Sequence, residues 1–260
     1  MQLKRTTGRL ESFYQRYVHR DDVEISPESF DAQQYDKATL VRGQRAWTLR
    51  TNDEYRSMIA FSELTHLCAE MYAPLDVVAL ASRLIRDEVR HVEICSQMTN
   101  LLGGRPKRAP KPNYARTNPK RSARRRALHH AIGSCAIGET ISVTMLAGSR
   151  ERCTDPVAKA TLTQILRDES FHSRFGWLWM PDMDLTDHDR AWLDQFIPRV
   201  FGSLPGSIPM SKKEYVPSPF GAMPNSERQD RLYEAIDEIV EAFEDHGLPG
   251  KRWWKNRIEQ

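Results

Sequence analysis

Two segments of the sequence have residue types and a spacing that suit metal binding. In both, an Asp-Glu pair precedes a histidine, and the glutamate lies three positions before the histidine: Asp87-Glu88 with His91, and Asp168-Glu169 with His172. Residues three positions apart lie on one face of a helix. Two such faces on neighbouring helices can offer carboxylate and imidazole ligands to one interior point. The pattern therefore predicts a metal site assembled from two helices.

A site for two metal ions needs two further carboxylates, one from each of two more helices. Glu63 in IAFSELTHL and Glu139 in CAIGETISV are the candidates. At about 1.5 Å of rise per residue, each candidate lies at nearly the same distance from its predicted turn as the glutamate of its partner helix. The predicted ligands are Glu63, Glu88, His91, Glu139, Glu169 and His172.

Other polar residues near these motifs are predicted to support the ligands. A ligating imidazole usually donates its second N–H to a carboxylate, and Asp87 and Asp168 are each placed to serve the histidine of the other helix. The alternative is that both are ordinary acids on helix surfaces. Arg90 could balance the acidic cluster. His66 shares a face with Glu63 and is a candidate extra ligand, although a histidine at the edge of a core is the commoner case.

Four long helices are predicted to carry these residues. Thr51, three positions before Glu54, forms a capping-box pattern that would start the first helix. The four helices are predicted at about 51–71, 75–102, 122–147 and 155–180. Short links join the first two and the last two, and a long crossover of about twenty residues joins the second to the third. This order predicts an all-α fold built on a four-helix bundle, without strands.

The predicted bundle, residues 51–180, has an extension at each end. Residues 1–50 are expected to contain a short helix and irregular chain packed on the bundle, and residues 181–260 a C-terminal helical extension. The last predicted helix, SERQDRLYEAIDEIVEAFEDHG, is amphipathic and needs a surface to cover. We therefore predict a homodimer.

The crossover, residues 103–122, lies in a strongly basic part of the chain. Ten lysines and arginines and no acid occur between Arg105 and Arg126. Such a composition predicts a solvated, mobile connection. It could attract an anionic substrate, an acidic carrier protein, RNA or an anionic membrane. Base recognition usually needs several aromatic platforms, and this segment has only Tyr114, which favours a substrate or carrier.

The composition excludes several classes of protein. The chain is 40% hydrophobic and 28% charged, with a net charge of +3. No apolar run approaches the ~20 residues of a membrane span, and the first residues lack the apolar core of a signal peptide. The four cysteines show no CxxC spacing, which argues against a zinc ribbon or a disulfide framework. A cytoplasmic protein without a membrane span is expected.

The ligand order resembles that of a known superfamily. The pattern is Glu63, Glu88-x-x-His91, Glu139 and Glu169-x-x-His172, with Asp-Glu at both pairs. It resembles the carboxylate-bridged di-iron proteins of the ferritin-like superfamily and covers about residues 50–180. That superfamily includes oxygenases, desaturases, ribonucleotide reductase small subunits, rubrerythrins, ferritins and manganese catalases. The resemblance implies a ferritin-like bundle that holds two iron ions, or manganese, with Glu88 and His91 at one ion and Glu169 and His172 at the other. Which glutamates bridge stays open.

The resemblance implies an oxygenase or oxidase that activates O₂ and oxidises a small organic substrate, such as an amine or a carrier-tethered acyl group. An electron donor is then required, and no catalytic residue beyond the metal ligands is predicted. The extra chain around the bundle favours this reading over a ferritin-like iron-handling, peroxidase or dimanganese-catalase protein without an organic substrate. The nearest specific analogy is the p-aminobenzoate N-oxygenases. Their extra histidine one turn before the last ExxH is replaced here by Ile165.

Overall fold

The computed structural model of the 260-residue chain describes residues 23–105, 116–208 and 216–258. This part of the chain is helical and contains no strand, which confirms the all-α prediction. We number its α-helices in chain order: α1 Lys37–Glu70, α2 Leu75–Leu101, α3 Ala123–Arg152, α4 Pro156–Trp179, α5 Asp187–Ser203, α6 Asn225–Asp245 and α7 Gly250–Lys255. Short 3₁₀ turns lie at Pro27–Ser29, Ala32–Gln34, Met180–Met183 and Pro205–Ser207.

Helix α1 begins well before the predicted start at Thr51. Its N-cap is Asp36, whose side chain accepts a hydrogen bond from the Thr39 amide. Thr51 lies inside the helix, and its hydroxyl donates to the Trp47 carbonyl at 2.8 Å. The capping-box prediction was therefore wrong, because a hydroxyl that bonds back within its own helix cannot cap a new one. Part of the segment expected to be irregular is helical, and residues 1–22 lie outside the described residues.

The other helix boundaries lie close to the predicted ones. Asp155 caps α4 by accepting a hydrogen bond from the Ala158 amide at 2.7 Å, and Pro156 occupies the first helical position. Ser122 caps α3 in the same way. Helix α3 continues through Gly148, where it was expected to end, to Arg152.

Helices α1 to α4 enclose one shared core. Helix α1 packs along α2, α3 packs along α4, α2 contacts α4, and α1 contacts the first half of α3. All four helices contribute to one buried apolar cluster that includes Phe61, Leu64, Leu84, Cys135 and Phe175. Polar side chains that point into this interior are therefore brought together from four separate parts of the sequence.

The apolar face of α6 is covered within the chain. Helix α6 packs against α3 and α7, and Ile236, Ile239 and Phe243 are fully buried there. The apolar face of α6, which suggested a homodimer, is thus covered by other helices of the same chain. It gives no reason to expect a second copy.

Part of the basic segment belongs to α3 and is paired. Arg124 donates to Asp189 at 2.8 Å and to the carbonyl of Met183. Arg126 pairs with Glu63. These cations stabilise the packing of α3 and are not available to an external anion. Residues 106–115 of the predicted mobile connection lie outside the described residues.

Among the helices that the structure describes, only α3 is long and apolar enough to cross a membrane. Half of its apolar window is buried against the rest of the chain. Core helices often share this length and composition, so the hydropathy of α3 is a weak indication of a membrane span.

Candidate metal centre

Two overlapping groups of acidic and imidazole side chains lie between helices α1 to α4. One group is Glu54, Glu88, His91 and Glu169, and the other is Glu88, Glu139, Glu169 and His172. Within each group, one ligand atom from every residue lies within 4.8 Å of the others, and all the side chains are buried. Glu88 and Glu169 belong to both groups. The structure thus brings together five of the six predicted ligand residues in an arrangement that could hold metal.

Both histidines face the carboxylates through the same ring atom. Nδ1 of His91 lies 3.6 Å from carboxylate oxygens of Glu54 and Glu169. Nδ1 of His172 lies 3.3 Å from Glu88 and 2.8 Å from Glu169. Atoms that bind one ion at about 2 Å lie about 3 to 4 Å from one another. The spacing of these donor atoms therefore suits an ion in each group.

The hydrogen bonding of the cluster also fits metal. Both carboxylate oxygens of Glu88 and Nδ1 of His91 are buried and have no hydrogen-bond partner within the described part of the chain. A buried carboxylate without a partner costs several kcal/mol. A divalent cation beside Glu88 would supply the missing charge and the missing contact. These donors are carboxylate oxygens and imidazole nitrogens, which suit a divalent transition metal rather than a thiolate-preferring one.

The electrostatics of the cluster couple metal binding to protons. Burial and neighbouring carboxylates raise the pKa of Glu139 well above its ordinary value. Burial is also the main reason that the pKa of Glu54 is raised to about 7. Burial alone would lower the pKa of His91 and His172, but the surrounding carboxylates raise it well above 6.5. Metal must therefore displace protons from this cluster when it binds.

A buried carboxylate on α4 orients His91 on α2. Oδ2 of Asp168 lies 3.1 Å from Nε2 of His91 and also accepts hydrogen bonds from Arg90 at 2.7 Å and Gln164 at 2.8 Å. An ionised aspartate can only accept, so it favours the tautomer in which Nε2 carries the proton. Once metal binding removes the second proton of His91, that tautomer leaves the Nδ1 lone pair directed at the metal.

Asp87 has a similar place on α2 but different partners. Its carboxylate lies 3.7 Å from Nε2 of His172, beyond hydrogen-bond distance. It accepts hydrogen bonds from Arg83, Arg86 and Arg90 instead. Both aspartates are buried, so the alternative of ordinary surface acids does not hold. Arg90 links them and offsets part of the negative charge around the glutamates.

A π-helical segment of α3, His129–Gly138, ends immediately before Glu139. Opposite this segment, α4 approaches α3 closely at Gly176, where an added Cβ would lie 2.5 Å from the amide nitrogen of Ala136. The wider π-helical turn changes which side chains face inward along α3. Glu139 therefore takes its place in the cluster directly after a backbone irregularity. The helix contact opposite this irregularity requires glycine at position 176.

Glu63 does not belong to the cluster, and Glu54 occupies the place predicted for it. Glu54 and Glu63 are nine residues apart on α1, so they lie about 13 Å apart along the helix axis and about half a turn around it. Glu54 lies level with His91, because the two are equally far from the link between α1 and α2. The predicted register placed that turn slightly too late, which favoured Glu63.

The sequence does contain a signal for Glu54. It lies at heptad spacing between Trp47 and Phe61, on the buried stripe of α1 that continues to Cys68. The mistaken capping box assigned Glu54 to a helix start, where an acid is ordinary. A longer first helix would have shown an acid at a core position.

The exposure of two other candidate positions shows that neither supplies a ligand to the cluster. The side chain of His66 is 74% exposed, and its nearest charged partner is Glu70 at 3.6 Å. It lies on the outer face of α1 and cannot reach the cluster. Ile165, at the position of the extra histidine in the N-oxygenase pattern, is fully buried in an apolar cluster.

Glu63 instead links α1 to the start of α3 through hydrogen bonds. Its carboxylate accepts hydrogen bonds from the Thr117 amide at 2.8 Å, from His130 Nε2 at 2.9 Å and from Arg126. Burial would raise the pKa of Glu63, but Arg126 and His130 lower it to about 2. The charge of Glu63 therefore stabilises the fold above its unfolded pKa of 4.5, and this contribution is lost as the pH falls towards 2.

Replacing Glu63 by alanine should lower the free energy of unfolding by about 1–3 kcal/mol, because buried donors lose their acceptor. Metal content should stay unchanged. The loss should be full at pH 7 and should shrink as the pH falls below 4.5, where wild type loses the same charge. Urea denaturation at several pH values measures this. Glu70→Ala, on the exposed face of α1, is the control. A fall in metal content of Glu63→Ala would contradict the assignment.

A cavity of about 690 Å³ lies beside the cluster, between α1, α3 and the segment that leads into α6. Glu54, Glu139 and Glu169 form part of its wall, so the cavity reaches the candidate metal site. The rest of the wall mixes apolar, hydroxyl and cationic side chains with one further acid, Asp53. No sequence motif predicted this cavity, because it is assembled from four distant parts of the chain.

No protein family, curated protein or solved structure matches this chain. Membership of the ferritin-like superfamily therefore stays a prediction from the order of the ligands. Any function must be inferred from the cluster and its surroundings.

Proposed function

We propose that this protein is a di-metal oxidoreductase of the ferritin-like, carboxylate-bridged di-iron class. In this proposal α1 to α4 form the ferritin-like four-helix bundle. The protein activates O₂ and oxidises a small organic substrate, as a monooxygenase or oxidase. Two iron ions are the proposed cofactor, and manganese is the alternative metal.

The observation that carries this proposal is that Glu88 and Glu169 are shared by two groups of ligands. Glu54 and His91 complete one group, and Glu139 and His172 complete the other. Two ions held this way would be bridged by two carboxylates, and each would have one further glutamate and one imidazole. A single-metal site would not need the second group.

When bound, a di-iron centre supplies two electrons to dioxygen and can generate an oxidant. Monooxygenation then inserts one oxygen atom into the substrate and reduces the other to water, with two electrons and two protons from an external donor. The protein's own residues orient the metal ligands and keep water away from the site. Asp168 and Arg90 fix the direction of His91. Fully buried Phe61, 5.6 Å from His172, helps to exclude water.

The cavity is the observation that favours an organic substrate. Its volume of about 690 Å³ falls within the usual range for small-molecule sites, about 300–1,000 Å³. Its wall includes three of the proposed ligands, so a bound molecule would lie next to the metal ions. A protein that only handles iron or removes peroxide needs no such space.

The proposal is tested by loading the protein with Fe(II) without oxygen and then measuring O₂ consumption. About one O₂ should be consumed for every two iron ions, faster than by free Fe(II) in the same buffer. The Glu54→Gln variant should lose this reaction, and Glu63→Gln should keep it.

Other outcomes would contradict the proposal. No O₂ consumption above that of free iron would exclude a di-iron oxidase or oxygenase. Oxidation of many iron ions per chain, with their retention as a mineral, would indicate iron handling. Rapid disproportionation of peroxide by the manganese-loaded protein would indicate a catalase.

A further inference from the structure

The cavity beside the cluster contains two arginines from different helices, Arg50 on α1 and Arg228 on α6. Both are half-buried. Arg50 is one turn before Glu54, about 6 Å along the helix axis. Its guanidinium lies 5.6 Å from the ring of Trp47, which lines the same cavity and is almost fully buried. The buried ring of Trp47 thus helps to set the direction of the Arg50 side chain.

Neither arginine has a carboxylate partner within the described ranges. Asp53, the acid nearest to Arg50 in the sequence, pairs with Arg56 at 2.8 Å. Glu227, beside Arg228 in the sequence, pairs with Arg152 and Arg231. Asp53 also lines the cavity and attracts Arg50 electrostatically, but the two form no ion pair. Neither cavity arginine is therefore neutralised by direct pairing with an acid among the described residues.

Two cations that share a partly buried space repel each other and lose hydration. Burial, followed by the charge of Arg50, lowers the pKa of Arg228. A ligand with an oxyanion would relieve both costs, because guanidinium groups bind carboxylate and phosphate with paired hydrogen bonds.

The charges of the cavity also set the direction of such a ligand. Glu54, Glu139 and Glu169 lie in the same wall, and as metal ligands they would offer an oxyanion no hydrogen-bond donor. The oxyanion is therefore expected at the arginines, whose guanidinium groups can donate to it, with the uncharged part of the molecule at the cluster. Apolar Leu49, Met145 and Phe220 line the same space and suit a hydrocarbon part.

We propose that this cavity binds a small organic anion, with its carboxylate or phosphate held by Arg50 and Arg228 and its uncharged part facing Glu54 and Glu139. The ligand is then the substrate of the proposed oxidation, and that role rests on the proposed function. The bound orientation would present a carbon or nitrogen atom of the uncharged part, not the oxyanion, for oxidation.

The test is calorimetric titration of the full-length protein, with and without iron, using probes that differ in charge. Benzoate, octanoate and phenyl phosphate are the anions, and benzamide and octanamide are the matched neutral probes. An anion should bind at least about tenfold more tightly than its neutral counterpart. The carboxylate and phosphate probes distinguish the two sources of the oxyanion.

Variants separate the arginines from the metal as the anion site. Arg50→Met and Arg228→Met should each weaken anion binding about 10- to 100-fold and leave amide binding unchanged. Arg50→Lys should restore part of the affinity. Arg45→Met removes an exposed arginine of α1 outside the cavity and should have no effect. Circular dichroism checks that every variant is folded.

The inference is overturned if anions and amides bind equally, if both methionine variants bind anions as wild type does, or if no anion binds at 10 mM or below, roughly the weakest affinity expected of a fragment. Anion binding that depends on the arginines, without any reaction with O₂, would count against the proposed oxidation alone. A normal reaction with O₂, without such anion binding, would count against this inference alone.

Discussion

Replacing Glu88 by glutamine is expected to abolish binding of the metal pair. Glu88 is the fully buried carboxylate that both ligand groups share, and neither of its oxygens has a hydrogen-bond partner within the described residues. An amide offers one acceptor oxygen and no negative charge, so it cannot bridge two cations. Changes to residues that only support ligands cost about 10- to 100-fold in metal affinity. We expect a larger loss at Glu88.

The same substitution should remove the stabilisation of the folded protein by iron. A ligand that binds only the folded state stabilises it, and Glu88→Gln should lose this gain. Without metal, the Glu88 carboxylate lies near other acids but also 3.3 Å from Nδ1 of His172, so its removal has two opposing effects. Thermal unfolding of both proteins with and without iron measures the difference, and equal stabilisation of wild type and Glu88→Gln by iron would contradict the ligand role.

The number of metal ions bound by matched variants shows which residues contribute to each of the two ligand groups. Wild type should bind two ions per chain, Glu54→Gln should bind one, and Glu63→Gln should bind two. Glu54 belongs to only one ligand group and Glu63 to neither. Elemental analysis after loading and desalting measures this content. Equal content in Glu54→Gln and wild type would contradict the proposed coordination.

Replacing Gly176 by alanine is expected to destabilise the protein by about 2 kcal/mol or more. The added Cβ would lie 2.5 Å from the Ala136 amide nitrogen and 2.9 Å from the backbone of Cys135. Neither backbone group can move aside as a flexible side chain could. Alanine is favoured over glycine inside a helix by about 1 kcal/mol, which is too little to offset the clash.

This clash should also affect the metal site, since Ala136 precedes Glu139 by less than one turn of α3. We expect weaker binding at the ion held by Glu139 and His172. Gly206→Ala is the control, because an added Cβ there would have no atom within 4 Å. Chemical denaturation measures the effect. Unchanged stability in Gly176→Ala would show that α3 and α4 do not pack this closely.

Much of the candidate site follows from local sequence patterns. The two Asp-Glu…His motifs indicate four candidate ligands, because residues three apart on a helix share a face. Glu139 was identified by its apolar neighbours, where a charge would be buried. These inferences depend only on helix periodicity, which the interior of each helix obeys.

The sequence-based predictions were wrong or incomplete where contacts between distant parts of the chain determine the structure. Glu54 was missed because the capping pattern at Thr51 is satisfied equally well by a hydroxyl bonded inside a longer helix. Asp87 was expected to serve His172, but three arginines occupy its carboxylate. Arg50 and Arg228 are 178 positions apart in the sequence, and only the folded chain shows that they share a cavity.

Mössbauer spectroscopy of the iron-loaded wild-type protein tests the central proposal most directly, namely that Glu88 and Glu169 would both help to hold two metal ions. The prediction is two irons per chain that are magnetically coupled, giving a diamagnetic ground state when both are oxidised. Iron that is not retained, or irons that behave as isolated paramagnetic ions, would contradict the shared-carboxylate site.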